Sequence, residues 1–194
     1  MRKYILHILI ISFVFLLTPT VHSAEEQYIT IRSSYTDISM TGLRTLPNIS
    51  MRTRERNGIS GYSTITHSYE MKSIDGDGVV IDHFTGLMWH QSGSRKYMKY
   101  KRSMKWLEDL NKKGHGGYND WRLPTVEEAA SLLESSKREG MYIDPIFSNK
   151  QKWIMTGDTN GLECEWIVNY LLGSISWEYC IGDVNYVRPV RSMK

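Results

Sequence analysis

Six cations, Arg95, Lys96, Lys99, Lys101, Arg102 and Lys105, fall within eleven residues that contain no acid and also include Tyr97 and Tyr100. Cations at a helix start oppose the helix dipole, at ~0.3–1 kcal/mol for each exposed charge. Two readings stay open: a site for a polyanion, or a solvated helix face. Under the first, the candidate ligands are sulfated glycan, lipopolysaccharide and anionic lipid, with nucleic acid excluded for an exported chain. His67, His83, His90 and His115 show no His-Glu-x-x-His or similar ligand spacing, and no Gly-x-Ser-x-Gly elbow or phosphate loop occurs, so the chain reads as non-catalytic. Asp75-Gly76-Asp77-Gly78 and Asp158-Thr159-Asn160-Gly161-Leu162-Glu163 carry oxygen ligands without calcium-loop spacing. Each is read as a turn, with calcium the weaker alternative, and no metal or other cofactor is expected.

The address of the chain is written at its start. Arg2 and Lys3 precede an apolar run from Ile5 to Leu17 and a small-residue segment ending Val21-His22-Ser23-Ala24, the layout of a cleaved export signal over residues 1–23. The run is short for a membrane span of ~20 residues, so the membrane is expected to matter only during export, to the periplasm or cell surface. Cleavage would remove two cations and no acid, bringing the formal charge of +3 down to +1. An excess of basic charge over the whole surface is therefore not what would attract an anion. Any such attraction has to be local.

Two cysteines remain, Cys164 and Cys180. They flank two strand-like segments joined by Leu171-Leu172-Gly173. A register that faces Tyr170 with Ser174 places them opposite one another, as a structural disulfide in an exported protein requires.

The elements that would position these groups are legible mainly in the second half. Val79-Val80-Ile81-Asp82, a turn over His83 to Gly86, and Leu87-Met88-Trp89 read as a hairpin. Met98 to Lys113 has a helical period through Tyr100, Met104, Leu107 and Leu110, closed by Gly114. Thr125 and Glu128 form the two halves of a capping box behind Pro124, opening a helix expected to run from Val126 to Arg138. Strand-like segments follow at Lys152 to Thr156, Trp166 to Tyr170, Ser174 to Tyr179 and Tyr186 to Arg191. The fold class is α+β, two helices packed on antiparallel hairpins. Residues 24–74 read as a partly ordered N-terminal extension with strands at Tyr28 to Ile31 and Tyr62 to Thr66 and a loop from Arg44 to Gly61. The boundary falls at Asp75-Gly76, leaving 75–194 as the main domain.

The combination of Asp82-x-x-Thr85-Gly86-Leu87-Met88-Trp89, Trp106-Leu107, Asp120-Trp121-Arg122-Leu123-Pro124-Thr125, Trp153 to Thr156, Trp166-x-Val168-Asn169-Tyr170 and Tyr186-Val187-Arg188-x-Val190-Arg191 resembles the Lcl C-terminal type of domain, named for the end of a bacterial collagen-like adhesin. The resemblance implies a C-type-lectin-like fold related to the formylglycine-generating, sulfatase-modifying enzymes, whose chemistry needs a reactive cysteine pair. It also implies an adhesion-type role with sulfated polysaccharide as ligand. Trp89, Trp121, Arg122, Thr125, Glu128 and Trp166 are then structural anchors. The function expected is an exported, non-catalytic recognition module for glycan or another surface polyanion. The alternative is a protein–protein subunit of an envelope or surface assembly.

Overall fold

A computed structural model describes residues 29–162, 164–177 and 184–193. Its architecture is α+β, built on two antiparallel sheets. The first runs β1 (Ile49–Glu55), β2 (Gly58–Ser63), β8 (Ser174–Ser176), β7 (Glu165–Asn169), β6 (Trp153–Thr159). The second runs β3 (Tyr69–Ile74), β4 (Asp77–Asp82), β5 (Leu87–His90), β9 (Val190–Ser192). Three helices, α1 (Met40–Leu43), α2 (Tyr100–Lys113) and α3 (Val126–Ser131), pack around them. Among the described residues no helix is long and apolar enough to cross a membrane.

The apolar run Val79-Val80-Ile81 does not alternate because the centre of the second sheet is covered on both faces. Val80, Leu87 and Trp89 join one core with α3, Trp166 and Ile175. Val79, Ile81 and Met88 face a second core with Leu107 of α2, Trp121 and Leu123. The β4–β5 hairpin forms as its sequence indicates, with Gly86 at φ 67° in the turn, a conformation that costs glycine little.

The N-terminal half differs most from expectation. Residues 44–61 are not a loop. They hold β1 and the start of β2, and Asp75-Gly76 is a turn, as read, which closes the β3–β4 hairpin where a domain boundary was expected. β1 escapes sequence reading because it is an exposed edge: Arg52, Thr53, Arg54 and Glu55 all face water, so no apolar period develops. Gly58 explains how β2 enters the sheet, since a Cβ there would lie 2.0 Å from the Ile175 carbonyl oxygen of β8. No strand forms at 29–31, and Tyr28, like the leader at 1–23, lies outside the described residues.

Two further expectations are corrected. α3 ends at Ser131 instead of Arg138. The Ser131 hydroxyl donates back to the Glu128 carbonyl (2.7 Å), and the amides of Leu132 and Leu133 close on the carbonyls of Ala129 and Ala130. The chain then turns away to pair Glu134 N–H with the Tyr142 carbonyl. The β7–β8 register is Asn169 with Ser174, one residue off the expected one. Tyr170 leaves the ladder because its amide bonds the Lys152 carbonyl and its hydroxyl reaches the Ala129 carbonyl. Cys164 is buried and is not a free thiol, and Cys180 lies outside the described residues.

Candidate functional site

The structural anchors gather around α3. Thr125 accepts from Glu128 N–H while the Glu128 carboxylate accepts from Thr125 N–H, completing the capping box. The same carboxylate, fully buried, takes a bidentate pair of bonds from Arg122 at 2.7 Å each. Beside it, Asp158 of β6 is also fully buried. It accepts from both terminal nitrogens of Arg32 (2.9 and 2.8 Å), from Thr36 N–H and from Val126 N–H. Asp158 is thus an ion-pair and capping residue. No cluster of metal-ligating side chains occurs among the described residues. Trp89, Trp121 and Trp166 are buried, whereas Trp153 is only partly so and packs edge-on against Tyr186.

A different chemistry appears where α2 crosses the β4–β5 hairpin. A cavity of about 630 Å³ opens there. One wall is the α2 face bearing Arg102, Trp106, Leu110 and Lys113, which are spaced to fall along one side of a helix. The 91–98 loop adds Arg95 and Lys96 to the rim, and β4 supplies Asp77 and Gly78. At the floor, His90 from β5 and His115 from the turn after α2 stack with ring centroids 4.0 Å apart and planes at 12°. Trp106 lies 6.2 Å from His90, and Trp121 closes on both imidazoles from behind.

The hydrogen bonds define the imidazoles. His90 Nδ1 accepts from Gly93 N–H at 3.1 Å, so its proton sits on Nε2. Burial pushes His90 down to about 3, with His115 and then Arg188 adding electrostatic pressure in the same direction. His115 Nδ1 faces the Asp77 carboxylate at 3.1 Å, which fixes its proton there. Its Nε2 is buried and has no partner. The Asp77 carboxylate is further occupied by Gly116 N–H at 2.9 Å.

Behind the backbone of His90 lies Arg188, fully buried and bonded to neutral acceptors: the His90, Gln91 and Ser148 carbonyls at 3.5, 2.5 and 2.9 Å and Gln151 Oε1 at 3.3 Å. Burial lowers it to about 10, so it stays charged at neutral pH. A buried cation without a carboxylate partner projects its field into the adjoining space.

Of the six cations singled out in the sequence, Arg95, Lys96 and Arg102 line this cavity. Lys99 is the residue before α2, with no side-chain capping bond, and neither it nor Lys101 or Lys105 is part of the lining. Arg52 sits elsewhere, over the rings of Tyr62 and Tyr142 and bonded to the Ser135 carbonyl. Arg54 and Arg56 do not line the cavity either. The helix face also differs from the sequence reading: Ser103 and Leu107 point inward, whereas Tyr100 and Met104 are exposed. His90, His115, Asp77 and Lys113 were not expected at the site. The histidines are separated by a whole helix and leave no local motif. The spacing of Arg102, Trp106 and Lys113 was the one available sign.

No curated protein and no solved structure matches the chain. A family model, the Lcl C-terminal domain, matches residues 78–191. That stretch holds the hairpin, the capping box, the buried tryptophans, Arg188 and most of the cavity wall, and the chain belongs to the Lcl C-terminal domain family.

Proposed function

We propose that this chain is an exported, non-catalytic recognition module that takes an anionic group, on a sulfated glycan or another surface polyanion, into the cavity between α2 and the β4–β5 hairpin. The observation that carries the reading is the imbalance of charge there. Arg95, Lys96, Arg102 and Lys113 surround the space above buried Arg188, while the one carboxylate in the lining, Asp77, is already engaged by His115 and Gly116. Trp106 offers the flat apolar surface on which a sugar ring stacks. Ser92, the hydroxyl in the lining, is bonded to Gln91 Oε1 at 2.7 Å and serves neither imidazole as a nucleophile partner. The C-type-lectin-like assignment and the export route belong to the same reading. The first rests on the family motifs and the second on the leader at residues 1–23.

Binding of the mature protein to heparin-like polysaccharide at low salt tests this. Replacing Arg95, Arg102 and Lys113 with Gln should weaken it by about tenfold or more and flatten its salt dependence. The matched triple at Lys99, Lys101 and Lys105 carries the same change in net charge and should retain most binding. Equal loss in both triples would assign the effect to a diffuse helix face. No wild-type binding at low salt would reject the reading.

The protein-contact alternative has one observation behind it, the exposed β1 edge of the first sheet. Its charged side chains, however, are of the kind that keep sheet edges from pairing. A partner co-purifying in fixed stoichiometry, and lost on replacing β1 residues alone, would favour it.

A further inference from the structure

The rim of the cavity continues outward into a row of three rings, Tyr97, Tyr186 and Trp153. We propose that this row is a platform for the sugar rings that adjoin the anionic group, so that the ligand is a carbohydrate chain running out of the cavity. The inference rests on the anion-binding reading and names the ligand class of that same site, in place of polyphosphate or a lipid headgroup.

Backbone pairing brings the rings together. Met98 bridges Asn185 antiparallel, each amide donating to the opposite carbonyl at 2.9 and 3.1 Å. Tyr97 therefore lies opposite Tyr186, on the face turned away from buried Met98 and Asn185. Ile154 bridges Tyr186 in parallel, which draws Trp153 alongside. The centroids stand 5.8 Å apart from Tyr97 to Tyr186 and 5.9 Å from Tyr186 to Trp153, both edge-to-face. Tyr186 packs against the main core and so holds the middle of the row in place. Lys96 and Met98 line the cavity, whereas Tyr97 between them does not. Its ring is on the outer side of the rim, 57% exposed.

The chemistry of the row favours a carbohydrate. Among the described residues neither tyrosine hydroxyl nor the Trp153 indole N–H has a hydrogen-bond partner, and none of the three is a buried orphan, so all three tips meet solvent. Apolar ring bodies alternating with open polar tips suit a sugar chain, which offers C–H faces and hydroxyls in turn. An acyl chain would cover the tips without satisfying them. Cations flank both ends: exposed Arg95 and Lys96 lead into Tyr97, and exposed Lys152 precedes Trp153. An anionic chain is thus attracted along the row as well as into the cavity.

Four probes titrated onto the mature protein test this: a heparin-derived disaccharide, the hexasaccharide, polyphosphate as a polyanion without rings, and phosphatidylglycerol vesicles. Tyr97→Ala removes an exposed ring and no charge. It should weaken hexasaccharide binding about fivefold and leave disaccharide and polyphosphate affinity unchanged, and Tyr97→Phe should restore most of the loss. The emission of Trp153, taken as the difference between wild type and Trp153→Phe, should shift with hexasaccharide and not with polyphosphate. Wild-type hexasaccharide affinity in Tyr97→Ala, or an equal loss for polyphosphate, overturns the row while the cavity stands. A loss confined to vesicle binding gives the row to lipid and overturns the carbohydrate assignment. Binding of neither oligosaccharide by the wild-type protein overturns both.

Discussion

The surroundings of α3 and the cavity beside α2 are built from the same residue types and reach opposite ends. Around α3, each buried charge has its complement: Glu128 with Arg122 and the cap amides, Asp158 with Arg32 and two further amides. Beside α2, four cations gather around a single carboxylate, Asp77, Arg188 is buried on neutral acceptors, and an imidazole nitrogen is left without a partner. The contrast distinguishes polar residues that hold a fold from polar residues that wait for a ligand. Fully satisfied networks make a structure specific, whereas an unsatisfied buried group has a standing cost that a ligand can relieve.

The comparison breaks most easily at Trp166. Its ring is fully buried and its indole N–H bonds the Ile38 carbonyl at 3.1 Å. Trp166→Ala should cost ~3–5 kcal/mol in denaturant unfolding and remove most soluble protein. A variant that folds normally but loses polysaccharide binding would move Trp166 to the binding side of the division.

The cavity side is probed by acid. The folded value of His90, lowered to about 3, lies below the 6.5 of the unfolded chain. The unfolded chain therefore takes up the proton first. The stabilisation is complete above about 6.5 and is lost as pH falls toward 3, at on the order of 1 kcal/mol per unit. His90→Phe removes that titration and should flatten the acid limb of melting temperature against pH. An unchanged limb would mean that the floor stores no such penalty.

Thr125→Ala is the gentler test of the α3 network. Loss of the cap should cost about 1 kcal/mol, measured by thermal unfolding, with polysaccharide binding intact. Smaller still, the Arg95, Arg102 and Lys113 triple should melt within about 0.5 kcal/mol of wild type, since exposed cations without partners stabilise little. A large loss there would show that the rim is structural after all.

Legibility in the sequence followed the range of the interaction. The β4–β5 hairpin, the Thr125–Glu128 box and the Gly114 end of α2 depend on neighbours a few residues away, and these stood in plain view. β1 is an edge whose partner supplies backbone bonds rather than an apolar face, so it carried no period. α3 was read too long because Leu132 and Leu133 continue its apolar pattern after the backbone has already turned. The basic run was visible, but which half of it faces a cavity depends on where α2 meets β5. His90 and His115 share a floor only through that packing.

The place of β2 between β1 and β8 has a kinetic consequence. Gly58 pairs with Ser176, more than a hundred residues downstream, and β5 closes its sheet on β9 at the far end of the chain. Contacts so distant in sequence slow folding, because a long loop must close before any pairing rewards it. The first sheet therefore cannot assemble while the chain is still emerging. β1 and β2 can pair early as a hairpin, but the β2 edge that takes β8 must wait until nearly the whole polypeptide is present.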